Sequence, residues 1–236
     1  MSEAGPVEAS GIGRRRQSAR RERSSAWRER HDEILRAAAV VFRTKGFQAT
    51  NITDIAQRLG INQSNVYYYF GKKEEIFLEL VAQAVEENVG HAERAAAGPG
   101  AAAERLGEVV ESLADSYDRH FPCMQLYVQE DVRQWAGSDA ERYLKECGDR
   151  YHAAVLSIVD QGIESGELAA DLDPGIATLA VLGAVNWMHR WFDPNGAMSG
   201  SGIGRQLSRM VLGGLVGPAV GASSTAQPAG QDPAAP

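Results

Sequence analysis

Residues 50–73, TNITDIAQRLGINQSNVYYYFGKK, decide how the rest of the chain is read. Apolar Ile52, Ile55, Ala56 and Leu59 recur at helical spacing, Gly60 stops the run, and a second apolar set begins at Ile61. That pattern predicts two short helices across a tight turn, a helix-turn-helix. Thr50 or Asn51 can cap the first helix, with Thr53 or Asp54 three residues on, and Asn62 can cap the second in the same way. Val66 and Phe70, four residues apart, are expected to face inward against Ile55 and Leu59. The opposite face keeps Gln63, Ser64, Asn65 and Tyr68, hydrogen-bonding groups and an aromatic without charge, which suit base edges in a major groove.

The charge distribution agrees with a nucleic-acid partner for one end of the chain only. The formal net charge over 236 residues is -7, which taken alone argues against such a partner. Residues 1–75, however, carry 14 Lys+Arg against 9 Asp+Glu, and residues 76–236 carry 10 against 22, so a basic head of +5 sits on an acidic body of -12. An apolar fraction of 44% permits a real core. Arg-rich residues 1–24 lack an apolar signal-peptide core and no run is long enough to span a membrane, so a soluble cytoplasmic protein is expected.

Working outward, residues 1–24 read as a disordered basic arm, either a solvated tail or a segment that follows the DNA backbone or enters the minor groove. The first helix is expected from Ser24 or Ser25 to Lys45, with Gly46 as its left-handed stop, so that 25–72 form the DNA-binding head. A fourth helix opens near Lys73 and carries Ile76, Phe77, Leu80, Val81, Ala84, Val85 and Val89 on one face. Its N-terminal amides and Lys73 are expected against a phosphate. Gly98-Pro99-Gly100 breaks the pattern; its Gly-x-Gly-x-x-Ala is not a dinucleotide fingerprint, because no strand precedes it. Helical period resumes from Leu106 to Tyr117, from Met124 to Trp135, from Asp139 to Glu164, from Gly175 to Phe192 and from Ile203 to Leu215. An all-α chain follows, three helices in the head and about six in a body over 73–216, with a disordered tail over 217–236.

Cys123 and Cys147 read as reduced, buried thiols. With His120 and His152 they are residue types that suit zinc, but Pro122 interrupts one pair and a five-residue step splays the other round a helix, so no metal is assigned. No catalytic motif or cofactor site is present in the sequence, which reads against an enzyme.

Gly46-Phe47-x-Ala49-Thr50, Asp54-Ile55-Ala56, Gly60-Ile61 and Val66-Tyr67-x-Tyr69-Phe70-x-x-Lys73-Glu74 resemble the DNA-binding domain of the TetR/AcrR family of bacterial repressors. The resemblance implies phosphate contacts from Thr50, Tyr67, Tyr69 and Lys73 to double-stranded operator DNA, and base-edge contacts from Thr53, Gln63, Ser64, Asn65 and Tyr68. It also implies a homodimer through the last two helices. Residues 175–192 and 203–215 fit that expectation, being apolar on more than one face, with Leu207 and Val211 at the interface.

Residues 186–196, NWMHRWFDPNG, with Asp160–Leu168 and Asp171–Pro174, resemble the C-terminal domain of family members that sense acyl-CoA thioesters in fatty-acid and sterol catabolism. Tyr127, Leu182, Asn186, Trp187, Arg190 and Trp191 are the candidate effector contacts; equally, Trp187, Arg190 and Trp191 can form an aromatic and cation-π seam at the dimer interface. The expected function is therefore a repressor released from its operator by a small molecule, an acyl-CoA thioester in first place. A regulator of efflux sensing hydrophobic drugs and a non-sensing architectural DNA protein are the alternatives.

Overall fold

A computed structural model describes residues 11–131, 135 and 137–215, with the backbone alone for 11–24. Among them are nine α-helices: α1 (Gly11–Lys45), α2 (Ile52–Leu59), α3 (Gln63–Tyr67), α4 (Lys73–Ala97), α5 (Ala102–Arg119), α6 (Cys123–Gln129), α7 (Asp139–Glu164), α8 (Pro174–Asn186) and α9 (Gly200–Leu215). The expected all-α architecture holds, three helices in the head and six in the body.

The head is built as its sequence dictates. Asn51 closes a capping box with Asp54: its side chain accepts from the Asp54 N–H, and the Asp54 carboxylate accepts from the Asn51 N–H, both at 2.9 Å. Gly60 ends α2 at φ 66°, a left-handed conformation that only glycine adopts without strain. Val66 and Phe70 are buried with Ile55, and Leu59 packs against them. Asn62 departs from expectation. It takes the N-cap position of α3 but its side chain makes no capping bond.

Three boundaries move. The helix expected from Ser24 or Ser25 starts at Gly11, so of the arm expected to be disordered, 11–24 have a helical backbone and 1–10 lie outside the described residues. Arg, Gln, Ala and Glu in that stretch are good helix formers, and extending an existing helix requires no new nucleus. The run expected to reach Trp135 ends at Gln129. The helix expected to reach Phe192 turns from α to 3-10 geometry at Trp187–Arg190. There the Asn186 carbonyl, which an α-helix would pair with the Arg190 N–H, accepts from the Tyr117 hydroxyl at 3.2 Å and lies 2.7 Å from His189 Nδ1. The tail over 217–236 also lies outside the described residues.

Two cores meet on α4. Its Ile76, Phe77, Val81, Val85 and Val89 join the head core, which extends into α6 and α7 through Leu126, Ala140, Leu144 and Cys147. Its Ala84, Ala92 and Ala95 join the body core of α5, α7, α8 and α9. Helices α5 and α9 lie close enough that a Cβ on Gly204 would stand 2.9 Å from the Glu111 Cα. Gly204→Val is therefore expected to destabilise the chain by about 1–3 kcal/mol through overpacking against backbone, read as a lower urea midpoint at unchanged slope.

Candidate nucleic-acid interface and effector cavity

The exposed surface of α2 and α3 presents Thr53, Gln63, Ser64, Asn65, Tyr67 and Tyr68 together. Tyr68 is 75% exposed and Tyr67 52%, which is unusual for rings unless a partner covers them. Thr53 donates to the Gln63 amide oxygen at 2.9 Å, which orients one edge-reading group with another. Tyr69 is half-buried: its ring lies 5.2 Å from Trp27, which stacks on His31 at 4.8 Å, and His31 stacks on Phe70 at the same distance. Trp27 thus buttresses the end of the recognition segment. Sequence reading missed it, although a lone aromatic amid arginines was the available signal.

Thr50 and Lys73 are not placed as free phosphate ligands. Thr50 is 3% exposed and donates to the Gly46 carbonyl at 2.7 Å. The Lys73 ammonium donates to the carbonyls of Phe47, Gln48 and Thr50 at 2.9, 3.2 and 3.0 Å and lies 4.4 Å from the Phe47 ring centroid. Those carbonyls follow the stop of α1; the Phe47 carbonyl also accepts from the Thr50 N–H at 3.1 Å, and Lys73 ties all three together. Just before α4, the Gly71 N–H donates to the Glu75 carboxylate at 2.8 Å.

Above the head, where the two cores meet, lies a cavity of about 140 Å³. Of the expected effector contacts, Tyr127, Leu182 and Asn186 line it, together with Asn88, Leu113, Met124, Cys147 and Tyr151. Tyr127 and Tyr151 pack against both cores. The lining contains no Lys, Arg, Asp or Glu. Burial, and then Cys147, push the Tyr127 hydroxyl up to about 12, and burial raises that of Tyr151, so both are neutral donors. Burial also raises the Cys147 thiol, whose Sγ approaches Glu86 at 3.5 Å. Asn88 donates to Ser116 at 2.9 Å. Asn88 and Tyr151 were legible as α4 and α7 positions, but which face they share is set by how those helices cross.

Trp187, Arg190 and Trp191 do not line this cavity. The 3-10 turn carries them outward: Trp187 is 60% exposed, and the Arg190 guanidinium stands 5.7 Å from its ring centroid. Along α8, Ile176, Leu179, Ala180, Gly183 and Trp187 form an exposed stripe at helical spacing, and Met210 of α9 is exposed as well. Leu207 and Val211 are half-buried against the body core. Among the described residues no three of His, Cys, Asp and Glu gather as for a metal, and no helix is long and apolar enough to cross a membrane.

With that geometry the comparisons agree. Residues 34–80 match the bacterial regulatory proteins of the tetR family and 99–215 the tetracyclin repressor-like C-terminal domain. The regulator PfmR of Thermus thermophilus is 30% identical, with 76% of this chain and 96% of that one covered and a TM-score of 0.65. The chain belongs to the TetR family: it is a DNA-binding, ligand-responsive transcriptional regulator. The repressor KstR2 of Mycobacterium tuberculosis is 25% identical over 186 residues, 79% of this chain and 92% of that one, and the structure of this ketosteroid transcriptional regulator superposes with a TM-score of 0.73 over 80% of this chain and 96% of that one. The fatty acid metabolism regulator protein of Bacillus subtilis is 23% identical over 67% of this chain and 81% of its own.

These placements separate two kinds of variant. Gln63→Ala and Tyr68→Ala are expected to change which operator variants are preferred, by about 1–3 kcal/mol per lost base contact. Lys73→Met is expected instead to lower the melting temperature and weaken all sequences alike. Binding isotherms over an operator panel, beside thermal unfolding, check both.

Proposed function

We propose that the chain is a homodimeric repressor, held on its operator until an acyl-CoA thioester enters the cavity between its two cores. The observation that carries this reading is the lining: apolar walls, neutral tyrosine hydroxyls and amides, and no charged side chain. A free fatty acid would bury a carboxylate there without a cation, and a hydrophobic drug cation would find no carboxylate, so each bears a desolvation penalty. A thioester carries the same acyl group with a neutral carbonyl, which the Tyr127 or Tyr151 hydroxyl can meet. The names of KstR2 and of the fatty acid metabolism regulator lend support from the side of sterol and fatty-acid chemistry.

The volume sets a size. A dry cavity of this order holds a single six-membered ring, so the acyl end occupies it while the much larger CoA stays outside. Longer or polycyclic acyl groups must spread α6 and α7 from α4. Spreading reaches the head, because α6 leads to Glu130, whose carboxylate accepts from the Gln48 side chain, and to Trp135, which packs on Phe47 and Phe77 at 4.7 and 5.0 Å between centroids. A changed head position alters the separation of two recognition segments that must fall about one DNA turn apart, roughly 34–36 Å. By linkage the operator and the ligand then weaken each other by the same factor.

Fluorescence-polarisation assays of operator release across CoA esters of graded size, their free acids and hydrophobic cations check the effector class. Thioesters are expected to release, free acids at equal concentration are not, and Tyr151→Phe is expected to need about tenfold more thioester for the loss of one buried hydrogen bond. Release by cations alone would overturn the reading in favour of a drug sensor.

The second copy is assigned to the exposed stripe of α8 with Met210, Leu207 and Val211, and Trp187, Arg190 and Trp191 extend that seam. Two helices from each copy would bury it as a four-helix bundle. Leu179→Asp or Val211→Asp is expected to give a monomer by light scattering at micromolar concentration and to abolish operator binding with it, since one half-site loses the effective concentration of the other. A monomer with full operator affinity would sink the assignment.

A further inference from the structure

A second pocket lies at the far end of α4, where Gly98 and Pro99 turn the chain into α5. It is lined by His91, Arg94, Ala95, Gly98, Pro99, Arg105 and Glu108, encloses about 280 Å³, and shares no residue with the effector cavity. Arg105 is only 7% exposed. Its Nη1 donates to the carbonyls of Ala95 and Ala96 at 3.3 and 3.0 Å, and its Nη2 to the Gln161 side chain at 2.9 Å. Its Nε is buried and has no partner, and neither has the buried His91 Nδ1. Among the described residues no carboxylate lies within 4.0 Å of Arg105 or of the exposed Arg94; Glu108 is exposed and pairs with neither.

A guanidinium this buried is normally neutralised by an anion, since its desolvation costs several kcal/mol. Here it is met by dipoles alone, two carbonyls at the end of α4 and one side-chain amide. A second arginine and an imidazole stand in the same pocket. Burial and then the Arg94 charge hold His91 below the usual histidine range, while the Glu108 carboxylate acts the other way.

We propose that this pocket binds a phosphate group, either inorganic phosphate or the terminal phosphate of a small metabolite, with the Arg94 guanidinium as charge-assisted donor and the buried, uncompensated charge of Arg105 behind it. The bound group completes the neutralisation of Arg105 and ties the end of α4 to the start of α5. It is a site separate from the one for the acyl group.

Isothermal titration of the full-length protein in chloride buffer tests it, with sodium phosphate in one arm, 3′-phosphoadenosine 5′-phosphate in another, and extra chloride at matched ionic strength as reference. Saturable binding in either phosphate arm is expected, about tenfold or more weaker in Arg94→Ala, which removes a charged donor that holds no structural bond. The arm that saturates says whether the free or the metabolite phosphate is preferred. Tyr151→Phe, which alters the effector cavity, is expected to leave this binding unchanged, so the acyl-CoA reading can fail without it. Heats indistinguishable from chloride in both arms, full affinity in Arg94→Ala, or loss in Tyr151→Phe would overturn the proposal and leave Arg105 as a cap of α4 only. Arg94→Glu, expected to abolish binding while thermal unfolding reports an intact fold, guards against a chance effect of one truncation.

Discussion

Helix α4 joins both cores along its length, with α6 and α7 packed beside it in each, and the structure depends on what its two sides hold. Toward the DNA end, Ile76, Phe77 and Val81 close the head core against Phe42, Phe47 and Ile55. Further along, Ala84, Ala92 and Ala95 pack into the body. Small residues there let α5 and α7 approach, while the large ones near the head lock it in place. A rigid rod of 25 residues with each end in a different core converts any shift of one into a shift of the other.

That link alone would make head and body one block. The cavity shows why they need not be. It opens where the two cores touch, and Tyr127 and Tyr151 belong to both. Packing is incomplete at that junction, and the polar groups in it are neutral and only partly satisfied. Void and unpaired hydroxyls forgo contact energy and hydrogen bonds that a filled core would have. A guest that supplies both is bound most tightly where the protein is least well packed, so the same defect that weakens the junction confers sensitivity to a ligand.

Much of this was legible in the sequence, for reasons that differ by position. The spacing of Ile52, Ile55, Ala56, Val66 and Phe70, with Asn51 and Gly60 as punctuation, determines the helix-turn-helix locally, and local signals survive folding. For Thr50 and Lys73 the chemical type alone does not reveal the intramolecular partner. An ammonium beside a helix start suits a phosphate and suits a cluster of loop carbonyls equally, and only the return of α4 beneath the α1–α2 turn brings it to those of Phe47, Gln48 and Thr50. The same holds for Trp187, Arg190 and Trp191. They follow Leu182 in what the sequence reads as one continuous apolar helix, but Tyr117, from another helix, engages the Asn186 carbonyl where α geometry gives way to 3-10.

Arg105 marks the other limit of sequence reading. Nothing in AAAERLGEVV separates it from any surface arginine of an amphipathic helix. What sets it apart is the sharp Gly98-Pro99-Gly100 turn, which folds α5 back so that its first turn meets the last carbonyls of α4. The side chain then meets the carbonyls of Ala95 and Ala96 rather than water, at the cost of burying its charge. A helix end can be capped more cheaply by a glycine or a neutral amide. Gly98 already caps α4 through its N–H on the Ala95 carbonyl; that an arginine is buried there as well, with a second arginine beside it and no carboxylate within 4.0 Å, fits a position whose counterion comes from outside the chain.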